Sequence, residues 1–185
     1  MMSRRAAILA LLIVAGAAAI LLAMGRNPIC TCGDIDLWVG LRDSPRTSQM
    51  LADWYSPSHV VHGLLFYAAL WWIMRRWSVQ VRFLVALLIE SAWEVLENTS
   101  FVIDRYRETT AALGYAGDSV LNSLSDVAMM VIGFLAARKL PVWASIALVI
   151  VLDAVPLFVI RDNLTLNVWT LLAPNAAVQA WQAAG

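Results

Sequence analysis

The stretch LLIESAWEVLENTSFVIDRYR, residues 87–107, decides how the chain is read. It has the density of apolar residues of a buried helix, yet it carries Glu90, Glu94 and Glu97. Offsets of four and three residues put all three carboxylates on one helical face. The rest of the chain determines whether that face meets water or protein.

Of the 185 residues, 61% are hydrophobic and only 14% are charged, against about 25% charged in a typical soluble domain. Mean hydropathy is +0.72. A bilayer core of about 30 Å needs roughly 20 apolar residues in a helix, and five segments come close. They cover about 6–24, 58–74, 81–103, 119–137 and 141–160, with polar loops at 25–57 and 104–118. The expected fold is therefore all-α: one integral membrane helical bundle of about five transmembrane helices. The tail from Arg161 onward is too short and interrupted for a sixth span, and LTLNVWTLLAP within it suits an interfacial helix. The stretch 87–107 thus falls in the third span, where a solvated stripe of carboxylates has no water to face.

Net charge is zero, and no basic stripe alternates with aromatics, which sets nucleic acid aside as a partner. Cys30 and Cys32 form a lone Cys-x-Cys; a structural zinc site needs about four ligands, and this pair lacks the other half. They read as loop thiols or, in an oxidising compartment, a local bridge. Arg4 and Arg5 precede the first span as in a secretory signal. Its apolar run exceeds the roughly 7–15 residues of a signal core and no small-x-small site follows, so it is expected to stay as an uncleaved helix.

Orientation follows from unopposed positive charge. Arg4 and Arg5, Arg75, Arg76 and Arg82, and Arg138 and Lys139 stand without acids, whereas the opposite loops mix both signs. The expected location is a bacterial inner membrane, with the N-terminus cytoplasmic and the C-terminus periplasmic. Tryptophans 38, 54, 71, 72, 77, 143 and 169 lie near span ends, as an aromatic belt requires.

With the third span taken to end near Asp104, Glu97 lies roughly 10 Å below the outer surface, Glu94 about 15 Å and Glu90 about 21 Å. His59 and His62, three residues apart on the second span, come out roughly 4 and 9 Å deep. On the fourth span Asp118, Asn122 and Ser125 share a face flanked by Asp126, and Asp153 lies on the fifth. Glu97, His62, Asn122 and Ser125 then fall at one level, with Glu94, Asp126 and Asp153 just beneath. An ionised carboxylate at mid-bilayer costs about 2.5–3.5 kcal/mol, so the cluster calls for pairing, protons or metal. Arg105, Arg107 and Arg46 are possible partners from the loops, while Glu90, Asn122 and Ser125 also suit plain helix-to-helix hydrogen bonding.

His-x2-His at a span start, Glu-x3-Glu-x2-Glu-Asn, Asp-Arg-Tyr-Arg and Gly-Asp-x3-Asn-x3-Asp, with CTCGDIDLW and SPSHVVHG, resemble an uncharacterised family of alphaproteobacterial multi-pass membrane proteins, a domain of unknown function. The likeness covers almost the whole chain. A looser one is to the VanZ-like membrane proteins linked to glycopeptide-antibiotic resistance, whose pattern places a His, a Glu, an Arg, then Asp-x3-Asn before a Gly. His62 or His59, Glu90 or Glu94, Arg105, Asp118, Asn122 and Gly133 would fill those places. The chain departs from that pattern in its second His, two extra Glu and Asp126, and in Ser56-Pro57-Ser58 where Asp-Lys is usual. The VanZ likeness implies a role in keeping an amphipathic compound off the membrane.

Three functions remain open. One is a pocket binding an ion, a proton or a lipid or amphiphile headgroup, with Glu90, Asn98, Arg105, Arg107, Asn122, Ser125 and Asp153 as candidate ligand-binding residues. Arg105 and Arg107 would grip a phosphate, and Pro156 beside Asp153 would kink the fifth helix. The second is a metal-dependent hydrolase or transferase acting on a lipid-linked substrate. Its divalent ion (Zn, Mn or Fe) would be held by His59, His62, Glu94 and Glu97, with Glu94, Asp118 or Asp126 as catalytic candidates, although no His-Glu-x-x-His motif is present. The third is a structural or assembly subunit whose polar cluster fixes helix register.

Overall fold

The computed structural model describes residues 2–110 and 114–184; residues 111–113 of the second expected outer loop lie outside the described residues. Among the described residues eight α-helices follow one another: α1 (Arg4–Ala23), α2 (Ser56–Ile73), α3 (Val79–Glu97), α4 (Ser100–Thr109), α5 (Val120–Lys139), α6 (Val142–Ile160), α7 (Leu164–Leu172) and α8 (Ala176–Ala183). Among the described residues there is no strand, only an isolated bridge between Val39 and Asp53. The protein is an all-α helical bundle.

Helix starts are written locally. Ser3, Ser78, Thr99, Ser119, Asn163 and Asn175 each cap a helix by accepting a backbone N–H, and Pro57 opens α2 where a missing N–H costs nothing. α1, α5 and α6 are long and apolar enough to cross a membrane. α2 and α3 are nearly as long but carry the histidines and glutamates. Along α1 and α6 large apolar side chains such as Leu11, Leu12, Val142 and Phe158 stand exposed, as do Trp71, Trp72, Trp77 and Trp143; an apolar exterior of this extent calls for lipid.

Packing divides the bundle into two halves. Toward the α2–α3 turn an apolar core gathers Leu70, Ala86, Leu87, Val127, Met130 and Phe134, with Tyr67 and Phe83 edge-on to Phe134. Toward the other end the facing side chains are polar. α2 crosses α5 at two glycines. A methyl group on Gly63 would strike the Met130 carbonyl oxygen and the Phe134 nitrogen, and one on Gly133 would strike the Val60 carbonyl. Only glycine allows that approach. Gly63 lies one turn from His59 and Gly133 two turns from Asp126, so the same crossing brings those two side chains together.

α3 departs from the expected span. It ends at Glu97 rather than near Ile103. Asn98 closes it, bonding the Glu94 carbonyl through Nδ2, and Thr99 starts α4 by accepting from Val102. The apolar run Phe101–Val102–Ile103 belongs to α4. The tail forms two short helices instead of one: α7 packs on α4, and Gln182 of α8 is buried against Asp162.

Candidate functional site

α2, α3 and α5 converge on a buried group of imidazoles and carboxylates. His59 Nδ1 lies 2.7 Å from Glu90 Oε1 and 3.4 Å from Glu94 Oε1, and its Nε2 is 3.8 Å from Asp126 Oδ2. His62 Nδ1 lies 3.1 and 3.2 Å from the two oxygens of Glu90 and its ring stacks on Phe66. Glu90 and Glu94 are almost fully buried, and so is Asp126. Glu94 Oε1 and Asp126 Oδ1 have no hydrogen-bond partner, a costly state for buried acid oxygens.

Nearer the loops, Glu97 is hydrogen-bonded to Tyr106. Asp118 is clamped by Asn98, whose Nδ2 donates to Oδ2 at 2.8 Å and whose Oδ1 accepts the Asp118 N–H at 2.7 Å. The Tyr115 hydroxyl donates to the same Oδ2. Burial lifts the Asp118 carboxyl from 3.8 to about 6, against the bonds from Asn98 and Tyr115 that pull it down. Burial likewise raises Asp53, opposed by the Ser48 and Tyr55 N–H groups.

Three sets of donors have ligand atoms within 4.8 Å of one another: His59, His62 and Glu90; His59, Glu94 and Asp126; and Glu94, Glu97 and Asp118. The expected quartet of His59, His62, Glu94 and Glu97 is thus regrouped, with Glu90 rather than Glu97 facing the histidines. α3 ends at Glu97 and α4 restarts after Thr99, so the expected third span is two helices; Glu90 lies beside both histidines and Glu97 is grouped with Glu94 and Asp118.

These groups border a cavity of about 520 Å³. His59, His62, Glu90, Glu97, Asp118, Asn122 and Asp126 line it, and Glu94 stands behind that wall. Phe66, Ile89 and Trp93, with Leu164, Val168 and Leu171 of α7, supply its apolar lining, and Ile89 and Val168 are exposed.

Other expected site residues have different work. Arg105 donates to the Leu171 carbonyl at 2.8 Å, Arg107 to that of Tyr115, and Asp153 accepts from Thr165 on α7. Arg46 pairs with Asp36 at 2.6 Å. None of these lines the cavity, nor does Asn98 or half-buried Ser125. Asn122 does, while its amide holds the Met50 carbonyl.

Sequence reasoning missed Tyr55, Tyr106 and Tyr115, and Asp53 as an organiser of the α2 start: it accepts from Ser48 and Tyr55, and its N–H is capped by Ser56. The motif Asp53-Trp54-Tyr55-Ser56-Pro57, an Asx-type cap before a helix-opening proline, is the signal that reveals it. The loop before α2 is stitched to the α5 start through Ser119 N–H to Ser48 and Val120 N–H to Asn27. Cys30 and Cys32 are bridged there, beside Val39 and Met50.

Fold and site together define an all-helical protein with membrane-compatible helices around a buried imidazole–carboxylate pocket. Residues 21–184 match the family described as "Protein of unknown function (DUF2585)". The chain is 55% identical over 173 residues to a UPF0314 protein of Paracoccus denitrificans, covering 94% of this chain and 90% of the relative. A UPF0314 protein of Sphingopyxis alaskensis is 51% identical over 183 residues, 99% and 97% of the two chains. One of Agrobacterium fabrum is 49% identical over 163 residues, 88% and 82%. The chain belongs to this DUF2585/UPF0314 family of alphaproteobacterial proteins. These matches lend no support to the looser VanZ-like resemblance. No solved structure matches it.

Proposed function

We propose that the protein is a multi-pass inner-membrane protein that binds a divalent cation at His59, His62 and Glu90, in a pocket open to the periplasmic side and to an amphiphile headgroup. The observation that carries this is His59. Both its ring nitrogens face carboxylates, but a neutral imidazole has a single N–H. These contacts are met either by an imidazolium donating from both nitrogens or by a cation drawn in by the same acid oxygens, and the cation is favoured by the donor atoms of His59, His62 and Glu90 lying within 4.8 Å of one another. Imidazole with carboxylate suits Zn, Mn or Fe.

On this proposal α2 and α3 cross the membrane with α1, α5 and α6, giving five spans. The acid-free basic turns put the N-terminus in the cytoplasm and the C-terminus in the periplasm. The Cys30–Cys32 bridge supports an oxidising compartment on the side of the 25–57 loop. An amphiphile is favoured by the cavity's lining, which combines acid groups with the apolar side chains of Phe66, Ile89, Trp93 and Val168. With Arg105 and Arg107 committed to carbonyls, the headgroup is held through the cation and not through an arginine clamp.

A second reading is metal-dependent hydrolysis or transfer on a lipid-linked substrate. It is favoured by the donors bordering a cavity instead of being closed over, as catalytic metal sites keep a position open.

The test is metal content of the detergent-purified full chain by mass spectrometry, beside His59→Ala, Glu90→Gln and Asp153→Asn. At least about one ion per chain is expected in the wild type, with at least one ion fewer in the first two variants and no change in the third. A folded wild type that stays metal-free after incubation with Zn, Mn and Fe overturns the proposal, leaving the cluster as a register device.

A further inference from the structure

Resting on that reading of the pocket, we infer that it holds two divalent cations rather than one, the second at Glu94, Glu97 and Asp118. The argument starts from reach. Ligands stand about 2.0–2.2 Å from a Zn-sized ion, so two donors on one ion are at most about 4.4 Å apart. Among the described residues, no donor set within 4.8 Å holds both Glu90 and Glu97, or both His62 and Asp118. A single ion at the histidines leaves Glu97 and Asp118 beyond its shell.

Charge points the same way. Five carboxylates (Glu90, Glu94, Glu97, Asp118 and Asp126) enter these sets beside two imidazoles. When all are ionised, one divalent cation leaves three negative charges in a buried site, and two leave one. Isolated buried charge is the most expensive feature a fold can carry.

The third observation is independent of both. Glu94 belongs to the second and third sets, is 1% exposed, and its Oε1 has no hydrogen bond. Asp126 Oδ1 is also orphaned. The Glu94 carboxylate, whose Oε1 lies 3.4 Å from His59 Nδ1, shares a donor set with His59 and another with Asp118, as a carboxylate bridging two ions would. Asp118 is already held in place through Oδ2 by Asn98 and Tyr115, so one donor of the second site is fixed before an ion arrives. Two ions beside one cavity would clamp an oxyanion from both sides.

The experiment loads the chelator-stripped full chain with Mn²⁺, counts ions per chain after desalting, and records the electron paramagnetic resonance spectrum. Wild type should keep two ions with a broadened, spin-coupled spectrum. Glu97→Gln should keep one, held by the histidine end, and His62→Ala one, held by Glu94, Glu97 and Asp118, each with the six-line spectrum of isolated Mn²⁺. One ion in the wild type, with an isolated spectrum, overturns this inference and leaves the metal pocket standing. No ion at all overturns both. Should Glu97→Gln fail to fold by size exclusion, the wild-type count and spectrum decide.

Discussion

Asp162 is fully buried between α6 and α7 and accepts from the Asn163 N–H, the Tyr55 hydroxyl and the Gln182 amide. Burial lifts its carboxyl from 3.8 to about 6, although those bonds and Arg42 pull it down. The folded chain thus holds this proton more tightly than the unfolded chain does. Its contribution to stability is complete below about pH 4 and is lost as pH rises through about 6. With roughly two units at 1.36 kcal/mol each, the loss is of order 3 kcal/mol. Asp162→Asn keeps the acceptor for Asn163 and Gln182 and should flatten the fall in melting temperature between pH 4 and 6.5, followed in detergent. Wild type and variant falling in parallel would assign the slope to other groups. At this scale the sequence was partly legible. His59, His62 and the glutamates stand out because charge in an apolar run needs a reason. Asp162 does not, since an aspartate just past a helix end is the ordinary occupant of a turn.

At the scale of elements, the α2–α5 crossing sets the pocket's geometry. Gly63→Val puts a branched side chain against the Met130 carbonyl, and overpacking costs about 1–3 kcal/mol or more. A lower melting temperature is expected, together with reduced ion retention, because α2 carries both histidines. Gly16→Ala, with open space around it in α1, should leave both unchanged. Comparable loss from the two changes would mean the crossing has no special role. Helical character was easy to read from hydropathy; the break that makes α4 a separate helix and the splitting of the tail into α7 and α8 were harder. Asn98-Thr99-Ser100 is a stop-and-restart signal of cap residues, but the apolar Phe101–Ile103 run hides it by prolonging the hydropathy of α3. The expected span therefore ran past the end of α3, and Glu97 was read beside His62 where Glu90 stands.

For the whole molecule, the proposed orientation makes a labelling prediction. In a chain with Cys30 and Cys32 replaced by Ser, a cysteine at Ser44 should react with a membrane-impermeant thiol reagent in cells whose outer membrane alone is opened. One at Leu140 should react only after the inner membrane is broken. The reverse pattern would invert the protein and turn the pocket to the cytoplasm. Charge asymmetry in the sequence was enough to frame this test, because it depends on counts in short turns and not on side-chain packing. The cavity had no such signature. Its walls come from α2, α3, α5, α7 and the 42–55 loop, segments that only the folded chain brings together.

The arginines on that side have one further consequence. Arg26 reaches the Ala116 carbonyl, Arg42 those of Ile160 and Gln182, Arg105 that of Leu171, and Arg107 that of Tyr115. Each ties a loop or tail segment to another part of the chain, and two of the segments so held, Tyr115–Ala116 and the end of α7 at Leu171, line the cavity. The rotamer freedom that a ligand normally has to freeze, about 0.5–1.5 kcal/mol for each long side chain, has been surrendered during folding. Binding to such a rim spends little entropy on the protein, and its selectivity rests on fixed size and shape in place of adaptation.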